Sequence, residues 1–127
     1  MTRFLGIALL LSLAAGAARA AEPATRSSCF DRAKGDEAFY ECTQKEILPV
    51  ETRLVHRVNA LRGKYASDVE RLKSLEASQD AWNAYRNRHC TLESEALGKG
   101  DRDRSRRAFS RCTLRVLKAR LAELAPL

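Results

Sequence analysis

The sequence is poor in helix breakers. Its 127 residues hold six glycines and three prolines, and the prolines, at 23, 49 and 126, fall near the ends of periodic segments rather than inside them. No run alternates apolar and polar residues, which argues against half-buried strands. There is no Cys-x-x-Cys pair, so thioredoxin-like redox chemistry has no support. There is no Gly-rich phosphate loop. Only two histidines occur, His56 and His89, and neither stands in a nucleophile–base pattern. The acids are scattered along helical surfaces, the usual place for solvated charges and i,i+4 partners. No catalytic residue is therefore assigned and no cofactor is expected, which points to a non-enzymatic protein.

Long apolar runs are equally scarce. The one present opens the chain: Arg3, then Phe4 to about Ala18, then Ala18-Arg19-Ala20. A positive start, an apolar stretch and a small-x-small end are the three parts of a secretory signal. The run is shorter than the ~20 residues that span a bilayer, so cleavage near Ala20 is expected, giving a periplasmic or secreted protein that does not span the membrane. No cysteine lies at the cleavage point, which argues against a lipoprotein. Removing residues 1–20 from the 127 leaves 107, enough for one domain. Residues 21–28 (AEPATRSS) carry no periodicity and read as a flexible leader, followed by a helical domain over 29–127. Arg3 and Arg19 leave with the signal, so the net charge of +7 becomes +5. That balance suits an anionic partner, though ordinary solubility explains it too.

The four cysteines, Cys29, Cys42, Cys90 and Cys112, all follow the signal. An even number in a small exported domain reads as two disulfides, with three pairings open. Local pairing, Cys29–Cys42 and Cys90–Cys112, is preferred, the second joining the end of one helix to the start of the next. Zinc is disfavoured, because structural sites usually bring ligands in pairs two to four residues apart. No metal site is expected.

From Asp36 onward the pattern is helical. A short first helix spans about Asp36 to Ile47, and Pro49 marks its end. A second runs from about Val50 to Tyr65, with Val50, Leu54, Val58, Leu61 and Tyr65 on one face. A third begins with a capping box at Ser67-Asp68-Val69-Glu70 and runs to about Leu97, with Gly98 as its stop. Its inward stripe is Leu72, Leu75, Gln79, Trp82, Arg86 and His89. Gln79 and Arg86 need partners there, and Tyr85 lies off the stripe. The fourth helix starts near Asp103 or Ser105 and ends at Leu124, with Phe109, Cys112, Val116, Leu117, Leu121 and Leu124 facing inward. The fold class is all-α: a small antiparallel bundle of three main helices plus a short N-terminal one, with two disulfides. The charged stretch between the last two helices holds Lys99, Arg102, Arg104, Arg106 and Arg107, and Arg111 follows it. Arg102, Arg104, Arg106 and Arg107 form a candidate anion-facing surface. The stretch lacks aromatics for base stacking, and nucleic acid is not expected as a partner of an exported protein.

The third helix carries a resemblance. Leu75, Ser78, Gln79, Trp82, Tyr85, Arg86 and Cys90 stand as in the L-x-x-A/S-Q-x-x-W-x-x-Y/F-R-x-x-x-C signature of the LprI-like lysozyme-inhibitor family. Cys112, Arg120 and Leu124 are similar to its closing pattern, and Cys29 and Glu41-Cys42 to its first two cysteines. Leu54-Val55-His56 stands where members often carry Asn and Tyr, and the arginine run replaces a Gly-Ser-rich turn. The resemblance implies a helical, disulfide-bonded domain of the bacterial envelope that binds and inhibits lysozyme or another envelope protein. C-type lysozymes are basic, so contact through an acidic patch is expected, with Glu37, Glu41, Glu93 and Glu95 as candidates. The alternative is an envelope adaptor holding anionic lipid, polysaccharide or an acidic protein through the basic loop.

Overall fold

The computed structural model describes residues 27–127. The expected cleavage point near Ala20, and the leader up to Arg26, lie outside them. A 3-10 turn, Cys29–Asp31, is followed by α1 (Gly35–Cys42), α2 (Leu48–Lys64), α3 (Val69–Gly98) and α4 (Arg102–Leu124). Among the described residues there is no strand, and no helix is long and apolar enough to cross a membrane. The fold is the all-α bundle that the periodicity predicts.

The first two helices are not separated at Pro49. A π-helical turn, Thr43–Ile47, carries the chain from α1 into α2 without a break. Proline lacks an N–H, and its ring presses on the carbonyl four residues back. The wider turn, with its i→i+5 bonding, opens the helix where that carbonyl lies, so Pro49 sits in the first turn of α2. The start of α3 also differs from expectation. The cap is Asp68, whose carboxylate accepts from the Arg71 backbone N–H at 3.1 Å. Asp is as good a cap as Ser, and using it starts the helix one residue later.

Helix α4 is the centre of the bundle. On one side it meets α3 in an antiparallel hairpin. Ser94 pairs with Ser105 (Oγ to carbonyl, 3.0 Å), Cys90 with Cys112, and Gln79 with Arg120, so position retreats along α3 as it advances along α4. On the other side α2 runs parallel to it, and Arg57 donates to the Leu124 and Ala125 carbonyls at 3.0 Å each. Gly98 permits the tight hairpin. A Cβ there would lie 1.8 Å from Ser105 Oγ and 3.0 Å from Ser105 Cα. Its role is therefore close approach. The left-handed backbone that ends α3 belongs to the next two residues, Lys99 (φ 50°) and Gly100 (φ 83°).

The main core gathers Val50, Leu54, Val58 and Leu61 of α2, Leu75 of α3, and Leu114, Leu117 and Leu124 of α4. A second cluster, Cys90, Cys112 and Val116, is joined to it through half-buried Trp82. Phe109, expected inward, is 40% exposed, and Ala108 occupies the buried arc instead. Both disulfides form in the preferred pairing, Cys29–Cys42 and Cys90–Cys112, each with Cα atoms 5.5 Å apart. The first draws the N-terminal turn inward. Phe30 is fully buried and stacks on Phe39 with ring centroids 6.4 Å apart. Glu46 fastens the same turn, accepting from Ser28 Oγ at 2.6 Å and from the Cys29 N–H.

Candidate functional site

The signature residues of α3 converge with Arg120 of α4. Gln79 is the one buried polar side chain among the described residues, 8% exposed. Its Oε1 accepts from Arg120 Nε at 2.8 Å and Nη2 at 2.6 Å. Arg120 also donates to Ser78 Oγ at 2.6 Å and pairs with Glu123 at 3.1 Å. Its guanidinium lies 5.9 Å from the Trp82 ring centre, and that of Arg86 lies 5.2 Å away. Both distances are within the range of cation–π attraction. Arg86 reaches across to Glu51 of α2 at 3.6 Å. The cluster thus ties three helices together around one indole, and its polar atoms are turned on each other. Tyr85 is not part of it. It is 53% exposed and stacks on His89, ring centres 5.1 Å apart.

The arginine run does not form one loop surface. Only Lys99, Gly100 and Asp101 make the turn, because Asp101 caps α4 by accepting from the Arg104 N–H at 2.7 Å. Arg102 and Arg106 fold onto Asp36 of α1, and Arg106 covers the Phe39 ring at 4.4 Å. The Arg106 hydrogen bond, followed by the fields of the two guanidiniums, holds the Asp36 pKa below the ordinary carboxylate value. Arg107 donates to the Ala33 carbonyl at 3.1 Å, and Arg111 pairs with Asp31 at 3.3 Å. Arg104 keeps its side chain exposed.

His89, Glu93 and Cys112 bring their ligand-type atoms within 4.8 Å of one another. The Cys112 sulfur is spent in a disulfide and Glu93 is held by Arg115. The trio therefore offers no thiolate, and its chemistry does not fit a metal ion.

Of the four candidate acids, Glu93 is engaged by Arg115 and lies beside His89. Glu37 and Glu41 are exposed on α1 and make no ion pair among the described residues, as does Glu95 on α3. Glu37 and Glu41 flank Tyr40, which is 65% exposed. Tyr40 and Phe109 line a cleft of about 460 Å³ between α1 and the start of α4. Neither aromatic was singled out as a contact residue by the sequence pattern. For Tyr40 the available signal is a large ring between Glu37 and Glu41 on a polar helix face, whereas Phe109 was read as part of the inward stripe and gave none.

A family model described as lysozyme inhibitor LprI matches residues 29–124. No curated protein and no solved structure matches the chain. The match takes in the 3-10 turn and all four helices, both disulfides and the Gln79–Trp82–Arg86–Arg120 cluster, and the chain belongs to the lysozyme inhibitor LprI family.

Proposed function

We propose that this protein is a non-enzymatic component of the bacterial envelope that binds lysozyme and blocks its cleavage of the cell wall. The observation that carries the reading is the family match across residues 29–124. Two disulfides suit the oxidising conditions outside the cytoplasm, in keeping with export after cleavage near Ala20. The contact surface in this reading is the outer face of α1. Glu37 and Glu41 are one helical turn apart, with Tyr40 between them. A basic lysozyme is steered by such carboxylates, and an exposed tyrosine beside a cleft is a favourable anchor. The cluster around Trp82 ties α2, α3 and α4 together and so holds the bundle that carries that face.

The test is a lysozyme-driven cell-lysis assay with the oxidised protein, run against a panel of lysozyme types. The wild type should slow lysis by at least one type. Tyr40→Ala, and separately Glu37→Lys with Glu41→Lys, should raise the concentration needed by about tenfold, the equivalent of ~1.4 kcal/mol of binding. No slowing at excess protein by any type removes inhibition from the account.

A further inference from the structure

The positive charge of the domain is concentrated in one place. Residues 27–127 carry a net charge of +5. A groove of about 1060 Å³ between α4 and the wall made by the π-helical turn and α2 is lined by seven basic and three acidic residues. It therefore holds +4 of that +5, and the rest of the surface is close to neutral. Helix α4 supplies Arg104, Arg107, Arg111, Arg115 and Lys118. Their spacings of 3, 4, 4 and 3 place them on one stripe. Lys45 and Arg53 face them from the opposite wall.

The acids in the groove are already used. Asp31 pairs with Arg111, Glu93 pairs with Arg115, and Glu46 holds the N-terminal turn through Ser28 and Cys29. Lys45, Arg53, Arg104 and Lys118 are exposed, and their side chains meet no carboxylate among the described residues. A cleft lined by one sign of charge focuses its field on an incoming ion of the other sign.

Shape and lining narrow the occupant. The stripe from Arg104 to Lys118 is about 21 Å long at 1.5 Å per residue, the span of about six residues of extended chain. Along it, an extended chain presents same-face side chains every ~6.6 Å, close to the ~4.5–6 Å axial steps between the α4 cations. No aromatic lines the groove, so sugar rings and bases find nothing to stack on. A flat bilayer reaches only the rims of a concavity. The floor is aliphatic, formed by Val50 and Leu114 with Pro49 and Leu97 nearby.

We infer that this groove binds an extended acidic peptide segment of a partner protein, with carboxylates on the two cationic walls and aliphatic side chains between them. The site differs from the α1 face and takes the opposite sign of charge. It also reassigns the arginine run, since Arg104 and Arg107 belong to the groove while Arg102 and Arg106 are tied to Asp36.

The test uses a fluorescent octapeptide of alternating Glu and Val, its Lys–Val counterpart, and the oxidised protein, read by anisotropy at low and moderate salt. The Glu–Val peptide should bind and weaken with salt, and the Lys–Val peptide should not bind. Arg53→Glu with Lys118→Glu should weaken binding at least tenfold. Lys73→Glu with Arg88→Glu makes the same charge change on exposed parts of α3 outside the groove, and should stay within twofold of wild type. All four positions are exposed, and circular dichroism establishes that both variants fold; should the reversal disturb folding, Arg53→Gln with Lys118→Gln replaces it. Equal weakening by the two pairs would show that net charge alone is sensed, and overturns the groove. So does the absence of peptide binding, including the case in which phosphatidylglycerol vesicles or a uronic-acid polysaccharide bind instead.

Discussion

Gln79 and Arg120 show how one buried polar contact organises a bundle. An unpaired polar group costs far more than a paired one gains, so the two residues are best understood together. Gln79→Met leaves the Arg120 side chain, 11% exposed, without its main acceptor. A loss of about 2–3 kcal/mol is expected, which lowers the melting midpoint by roughly 8–20 °C for a domain of this size. Adding Arg120→Met should recover part of that loss, since an apolar pair of similar volume leaves nothing unsatisfied. Thermal unfolding of the two single variants and the double checks both statements; strict additivity would show that the residues act independently. The need for a partner was legible in the sequence, because a glutamine on an apolar stripe demands one. Phe30 was not legible. It lies in a 3-10 turn of three residues, too short for any periodicity, and its burial depends on the Cys29–Cys42 link and on Glu46, seventeen residues away from Cys29. Phe30→Ala should cost about 3–5 kcal/mol, as for other core aromatics, measured by denaturant unfolding.

Helices α2 and α4 were readable because each keeps an apolar stripe at the 3.6-residue period, and α3 from its capping residues and a stripe that mixes Leu75 and Trp82 with Gln79 and Arg86. The details that decide their joints were not. Pro49 reads as a break, yet a π-helical turn absorbs it, and such turns carry no distinctive composition. Gly98 reads as a helix stop, yet its importance is steric. Two effects of Gly98→Ala oppose each other. Alanine favours the helix by up to ~1 kcal/mol. Its Cβ would also strike Ser105, where even the backbone Cα is 3.0 Å away, and overpacking of this kind costs about 1–3 kcal/mol. The backbone contact cannot be relieved by a rotamer change, so the clash wins and the variant should be destabilised by about 1 kcal/mol. Ser105→Gly should reduce the penalty in the double variant. A stabilised Gly98→Ala in thermal unfolding would show that the hairpin opens freely at that end.

At the level of the molecule, charge is arranged by the fold rather than by the sequence. Lys45 and Arg53 are remote in the chain from the α4 stripe, and only the parallel packing of α2 and α4 sets them opposite it. The ion pairs follow the same logic. Asp36 joins α1 to α4 through Arg102 and Arg106, and Glu76 joins α3 to α2 through Arg62 at 2.6 Å. In both acids the pKa is lowered, first by the side-chain hydrogen bond to the arginine. A folded-state pKa below the unfolded value of about 4 means that the native state holds the proton less tightly than the unfolded chain. The contribution of these pairs is therefore complete above about pH 4–5 and is lost as pH falls through the lowered values. Both carboxylates are substantially exposed, so each pair contributes modestly and is screened by salt. Thermal midpoints measured from pH 7 to pH 2 at low ionic strength should hold steady to about pH 5 and then decline. Asp36→Asn with Glu76→Gln removes both titrating groups, so the double variant should begin lower at pH 7 and decline less steeply into acid. A decline as steep as that of the wild type would assign the acid sensitivity to other carboxylates.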